Sequence, residues 1–250
     1  QGFLSDIGAT HGNRGSRQIG ADIVNLTRQS QTGRRRISTG CYRQYYLNTN
    51  YTIPLASDQS LGFDFNIYRT TDEGKAKAGD ISNTAWSLAG AYTLDAHTFT
   101  LAYQQVHGDE PFDYIGFGEN RSGGGGDSIF LANSVQYSDF NGPGEKSWQA
   151  RYDLNMASYG VPGLTFMVRY INGKDIDGTK VDSSSSYAGL YGEDGKHHET
   201  NLEAKYVVQA GPAKDLSFRI RQAWHRANAD EGEGDQNEFR LIVDYPLSIL

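Results

Sequence analysis

Apolar and polar residues alternate one for one along most of this chain. From Tyr42 onward the alternation recurs in nine stretches: 42–53, 61–69, 84–94, 97–106, 146–156, 163–171, 199–209, 215–227 and 238–248. A period of two marks a strand with one apolar and one polar face. Most of these stretches hold about nine to thirteen residues. Strands of globular proteins more often hold ~5–6, whereas a tilted strand that crosses a bilayer needs ~9–11. Strand length therefore favours a membrane barrel.

The connections keep a phase of their own. Strands one, three, five and seven are followed by short turns: "PLASDQS", "DA", "ASYGVP" and "AGPAK". Strands two, four, six and eight are followed by longer loops, at 70–83, 107–145, 172–198 and 228–237. In an antiparallel meander alternate connections fall on the same side. All short turns would then lie at one end and all long loops at the other, the asymmetry of outer-membrane barrels.

The two faces differ in kind. One carries Leu61, Phe63, Phe65 and Ile67, then Trp86, Leu88, Tyr92 and Leu94, and continues through Phe99, Leu101, Tyr103, Trp148, Phe166, Val168, Tyr170, Leu202, Tyr206, Phe218, Ile220, Phe239, Leu241 and Val243 without a charge. A charge on a lipid-facing surface would cost ~2–4 kcal/mol at the bilayer midplane. The other face holds Asp64, Asn66, Gln104, Gln149, Arg151, Asp153, Arg169, Glu203, Lys205, Arg219, Arg221, Arg240 and Asp244. That set is too polar for a protein core and suits water. A water-soluble barrel or sandwich would show the same alternation turned inside out, so the faces alone leave both readings open. Trp86, Trp148 and Trp224 favour the membrane. All three belong to the apolar face, toward the long-loop ends of their strands, where an interfacial girdle belongs.

Composition narrows the picture further. The 250 residues include 30 Gly and 16 Tyr but only 6 Pro. The single cysteine, Cys41, excludes an internal disulfide framework and a cysteine zinc site. A formal net charge of -7 argues against nucleic acid as a partner. No apolar run reaches the ~18 residues of a transmembrane helix. Residues 1–41 lack sustained alternation, and the expectation there is an irregular, divergent leader or a deletion junction. Its "GRRR" at 33–36 has the makings of a lipid-headgroup or nucleic-acid patch, with a disordered segment as the simpler reading.

Motifs for catalysis are missing. The chain has no G-x-S-x-G and no HExxH, and "GENRSGGGGD" lacks the lysine of a phosphate-binding loop. His197 and His198 are adjacent, so on a strand they would point to opposite faces and make a poor metal pair. Solvated histidines are expected, with no metal and no cofactor. A structural or adhesive barrel, a non-functional porin fragment and an outer-membrane barrel hydrolase are the alternatives to a channel.

The polar face holds a concentration of positive charge. In "LSFRIRQAW", Arg219 and Arg221 lie two apart and share that face, ~6.6 Å apart along the strand. Lys205 and Arg240 fall on the same face of the neighbouring strands, with Arg169 and Arg151 farther round. Along a narrow channel such a strip attracts anions and can pass a carboxylate from one cation to the next. Arginine suits the task, since its fork binds carboxylate bidentately and stays charged. The plain alternative is that these arginines pair with Glu203, Asp244 and Asp153 and only brace the wall. The 107–145 loop, with Phe112, Tyr114, Phe117, Phe130 and Tyr137, carries too much apolar surface to float in water. Folding into the lumen would bury part of it.

Four segments carry a resemblance: "YYLNTNYTIPL", "FDFNIYRTTDEG", "HTFTLAYQQVHGDEPFDYIGFGENRSGGGGDSIFLANSVQYSDFNGPGEKSWQARYDL" and "YGEDGKHHETNLEAKYVVQAGPAKDLSFRIRQAWHRANADEGEGDQNEFRLIVDYPL". They resemble the OprD-type porins, the outer-membrane carboxylate channels of Gram-negative bacteria, over residues 42–250. The resemblance implies an all-β fold, the C-terminal half of an 18-stranded barrel in the outer membrane. It implies passive uptake of basic amino acids or small organic and aromatic carboxylates, through a monomer embedded in outer-membrane lipid. It further implies that Arg151, Arg169, Lys205, Arg219, Arg221 and Arg240 form the basic ladder, and that Tyr137 and Asp139 of "QYSDF" help narrow the pore. About half the family's strands are represented here. Nine antiparallel strands closed in a ring would force the first and last to run parallel, so closure is expected to need residues 1–41 or a second copy.

Overall fold

The structure, a computed structural model, describes residues 19–29, 40–72, 80–113 and 129–246. They form one sheet of ten strands in which sequence neighbours are spatial neighbours throughout. The strands are β1 (Ile19–Gln29), β2 (Gly40–Ala56), β3 (Gln59–Asp72), β4 (Ser82–Leu94) and β5 (His97–His107). They continue with β6 (Lys146–Asn155), β7 (Leu164–Ile176), β8 (Gly195–Val207), β9 (Ser217–Ala227) and β10 (Gln236–Asp244). Every neighbouring pair is antiparallel. The expected meander of nine long strands corresponds to β2 through β10.

β1 lies inside the stretch expected to be irregular. It pairs with β2 from Ile19 opposite Tyr51 to Gln29 opposite Gly40. Its sequence, IGADIVNLTRQ, is rich in β-branched residues, which favour extended backbone. Apolar residues at both parities hide the alternation that revealed the other strands. The remainder of that stretch before residue 40, its "GRRR" included, lies outside the described residues. β1 and β10 are the two edges of the sheet.

The expected phase of the connections holds for part of the sheet. The tightest links join β2 to β3 and β4 to β5, and the longest, 108–145 and 177–194, lie at the opposite end, but the link 208–216 between β8 and β9 is no shorter than 228–235 between β9 and β10. Between β4 and β5 the chain turns on Asp95 and Ala96, and Asp95 adopts a φ of 48°, a left-handed conformation that Asp tolerates better than most residues. Among the described residues the only helical turn is the 3-10 turn Met156–Tyr159, in a short link.

The large apolar side chains lie on the outside. Leu101 is 69% exposed, and Phe239 and Leu241 are each 63% exposed. On the opposite face Gln104 and Gln149 are buried. A water-soluble sandwich has the reverse arrangement, so this outer surface requires lipid. Aromatic rings gather toward both ends of that surface, with Phe99 5.1 Å from Tyr152 near the short turns and two tryptophan pairs toward the long loops. Trp86 lies 5.5 Å from Tyr103, and Trp148 lies 5.6 Å from Tyr170, centre to centre. These pairs fit an interfacial girdle.

The core sits inside the wall. The loop that leaves β5 turns back across the inner faces of β2 through β6. Tyr46, Tyr68, Ala85, Val106, Phe112 and Leu131 form the buried cluster beneath it. Phe112 packs 4.9 Å from Tyr68, and Phe130 packs 5.2 Å from Tyr46. Inward folding thus buries part of the loop's apolar surface, at Phe112, Leu131 and Phe140, while Phe130 stays 38% exposed. Tyr114 and Phe117 lie outside the described residues.

Candidate functional site: a charged wall facing an inward loop

Burying a loop also buries its backbone N–H and C=O groups, which then need partners. The inner wall supplies them from neutral side chains. The Gln104 amide donates to the carbonyls of Asp139 (3.0 Å) and Phe140 (2.8 Å), and its oxygen accepts from Asn133 N (2.8 Å). Ser87 Oγ accepts from Ala132 N at 3.0 Å, and the Gln149 amide donates to Ala132 O at 3.3 Å. Farther round, Gln44 donates to Asp113 O at 2.9 Å and Asn83 to Glu110 O at 2.8 Å. A wall of glutamine, asparagine and serine thus does for the loop what water does elsewhere.

The tip of the loop reaches the other half of the wall. Glu199 of β8 accepts the backbone N–H groups of Tyr137 (3.1 Å) and Ser138 (2.9 Å), one on each carboxylate oxygen. Arg240 of β10 donates to the carbonyl of Gln136 at 2.8 Å, and the Gln136 amide donates to the carbonyl of Glu238 at 3.1 Å. Tyr137 places its ring 5.0 Å from that of His225. Burial, and then the carboxylates of Glu233, Glu231, Glu199 and Glu238, hold the Tyr137 hydroxyl above its ordinary pKa. Asp139 accepts a hydrogen bond from the Ser134 hydroxyl across the tip, so its carboxylate helps hold the turn.

The six cations read from the sequence all lie on β6 through β10. Arg151 stands opposite Arg169, Lys205 opposite Arg219, and Arg221 opposite Arg240 in the strand registers. Strand pairing therefore gathers residues spread over some ninety positions of sequence into one strip. Like charges placed directly opposite destabilise a sheet, and three carboxylates offset them. Asp153 receives two hydrogen bonds from Arg151, at 2.7 and 2.6 Å. Glu203 lies between two arginines, 2.9 Å from Arg221 Nε and 3.6 Å from Arg219 Nε. Glu238 pairs with Arg240 at 2.9 Å. Arg169 instead donates to the neutral amide oxygen of Asn201 at 2.6 Å.

Two of the three acids named as bracing partners, Glu203 and Asp153, therefore do pair with the strip. Asp244 lies at the end of β10 opposite Ser217, away from that pairing. Among the described residues three carboxylates pair with these six cations, so the strip itself keeps a positive excess. Arg219 and Arg221 lack well-directed hydrogen bonds from their buried Nε atoms, so their contacts with Glu203 are electrostatic rather than fully formed bidentate pairs. Glu199 had no place in the sequence reading. Its role depends on a loop tip more than sixty residues earlier in the chain, which no local pattern reveals.

A wall of long antiparallel strands, apolar outside, charged inside and crossed by an inward loop, defines an outer-membrane β-barrel wall. The chain belongs to the OprD family: the family model described as outer membrane porin, OprD family, matches residues 38–249. Its location is the outer membrane. The chain is 90% identical over 211 residues to Porin D of Pseudomonas aeruginosa, an alignment that covers 84% of this chain and 48% of that protein. It is 33% identical over 212 residues to the porin-like protein GalP of Pseudomonas putida, covering 84% of this chain and 45% of that one. Against the crystal structure of OprD from Pseudomonas aeruginosa it superposes with a TM-score of 0.77 at 88% identity, over 84% of this chain and 54% of that chain. The chain spans about half the length of the curated relatives it matches. The solved relatives are 18-stranded barrels, of which this sheet corresponds to about half.

Proposed function

We propose that this chain forms the selective half of the wall of a porin for passive uptake of small carboxylate-bearing solutes. Basic amino acids and small organic or aromatic acids are the substrate class. One observation carries the reading: the six-cation strip on β6 through β10, only partly offset by acids, lies on the wall that the inward loop tip touches through Arg240 and Glu199. A solute carboxylate is drawn to the excess charge and exchanges between arginines, each contact weak enough to release it. The acidic surroundings of Tyr137 and the carboxylate of Asp139 supply the opposite pole, which would orient a zwitterion. The reading is a channel and not an enzyme, because the charges are spread as a strip along strands rather than converging on a nucleophile. Closure of the pore needs strands beyond the ten described here, from a second copy or a longer chain.

The test is charge reversal in a full-length relative carrying this stretch. Arg219→Glu with Arg221→Glu should sharply reduce carboxylate uptake while outer-membrane insertion stays intact. Unchanged uptake rejects the ladder. Loss of insertion assigns these arginines to bracing the wall.

A further inference from the structure

His197 departs from the expectation of a solvated side chain. It is buried on the inner face of β8, and His225 is buried beside it on β9. His198, on the opposite face, packs 5.8 Å from the ring of Tyr170. The partners that bury His197 come from two loops distant in sequence, so its neighbours in the chain gave no sign of them.

The hydrogen bonds place two of the ring protons. His225 Nδ1 lies 2.8 Å from the carbonyl of Gly234, which can only accept, so Nδ1 carries the hydrogen and Nε2 presents a lone pair. His197 Nε2 lies 2.7 Å from Glu145 Oε1, so it donates there, and in the neutral ring Nδ1 presents a lone pair. These two lone-pair nitrogens face each other at 2.8 Å. Glu231 Oε1 lies 3.1 Å from the same His197 Nδ1, while its other oxygen accepts the backbone N–H groups of Glu233 (2.8 Å) and Gly234 (3.2 Å). Three acceptors thus converge on one point, which calls for a positive charge between them. Space for the arrangement is built in: a Cβ at Gly173, opposite His197 on β7, would collide with Glu145 Oε1 and His197 Nε2.

We propose that His197 Nδ1, His225 Nε2, Glu231 and Glu233 bind a divalent transition-metal ion of the zinc class. The ligand atoms of these four residues lie within 4.8 Å of one another. Two imidazoles and two carboxylates suit zinc, whose bonds of ~2.0–2.1 Å place tetrahedral ligand atoms ~3.3 Å apart. The 2.8 and 3.1 Å separations reach that spacing with shifts of a few tenths of an ångström. Each histidine has its second nitrogen held by an outer acceptor, a carboxylate for one and a carbonyl for the other, the arrangement that orients metal-binding histidines. Exposed Glu233 marks the side from which the ion enters. The bound ion would join β8, β9 and the 228–235 loop, directly behind the inward loop. Phe140 packs 4.1 Å from the His197 ring, and Glu145 stands where that loop returns to β6. Binding does not depend on the transport reading.

The chain, folded in detergent and stripped with EDTA, is titrated with Zn²⁺ by calorimetry and with Co²⁺ by visible absorption. A full-length relative carrying the four residues is measured in parallel. One zinc per chain and the absorption of tetrahedral cobalt are expected. Glu145→Gln should weaken binding by about 10- to 100-fold, as outer-shell substitutions do, and His225→Gln should abolish it. Heat-modifiable migration in SDS verifies the fold of each variant. Where His225→Gln does not fold, Glu231→Gln and Glu233→Gln carry the test. Absence of zinc binding, or affinity retained in both of those variants, overturns the proposal and leaves a proton shared between His197 and its neighbours as the charge that fills the cluster.

Discussion

The inner wall has two halves built on one pattern for different tasks. On β2 through β5 the inward-facing polar residues are mostly amides and hydroxyls, such as Gln44, Asn83, Ser87 and Gln104, which are spent on the loop that covers them, and the charged exception, Asp64, accepts from Asn48. On β6 through β10 the corresponding positions carry Arg151, Arg169, Glu203, Lys205, Arg219, Arg221 and Arg240. The difference follows from desolvation. A neutral side chain under a loop exchanges one hydrogen bond for another, whereas an unpaired charge there costs several kcal/mol. Where charge does lie buried, at Glu199 under the loop tip and at Arg169 and Arg221 of the strip, a hydrogen bond or an opposite charge meets it. The polar face of a barrel strand is thus not one environment, and the loop decides which kind of polarity each stretch can hold.

Moving a charge to the wrong half gives the largest effect. Gln104→Glu would turn two donated hydrogen bonds into repulsion between a carboxylate and the carbonyls of Asp139 and Phe140. The expected cost is about 3–5 kcal/mol, the cost of an uncompensated buried charge. It should appear as rapid proteolysis within 129–145 and a lower urea midpoint. A variant as resistant as the parent would erase the distinction between the halves. Glu199→Gln should cost about 1.5–3 kcal/mol, since hydrogen bonds to a charged group are lost from Tyr137 N and Ser138 N. Faster amide exchange at those two residues, with the rest of the loop unchanged, is the signature. Ser87→Ala leaves Ala132 N without its acceptor and should cost about 1–3 kcal/mol, read from the same exchange experiment. The smallest effect on folding belongs to Arg219→Gln. Its 3.6 Å contact with Glu203 is part-exposed and should be worth at most about 1 kcal/mol, so the urea midpoint should hardly move while carboxylate flux falls.

Much of this was legible in the sequence because period-two alternation reports the two faces directly. The outer surface and the six cations follow from it. Tertiary context hid the rest. β1 mixes apolar residues at both parities, so no face stands out. Glu199 reads like any inward acid until the loop tip is laid against it. The pairing of Glu203 with two arginines depends on register, which places Arg221 directly opposite and Arg219 two residues on. His197 looked solvated because Glu145, His225 and Glu231 are supplied by other parts of the chain.

The central claim is that the charged half of the wall recognises a carboxylate. The most direct measurement compares two solutes that differ in that group alone, arginine and its decarboxylated form agmatine. Their flux into liposomes is followed through a full-length relative that carries this stretch. The parent should admit arginine faster, and Arg219→Glu with Arg221→Glu should abolish that advantage while the channel still conducts small ions. A preference for arginine that survives the double reversal would contradict the account.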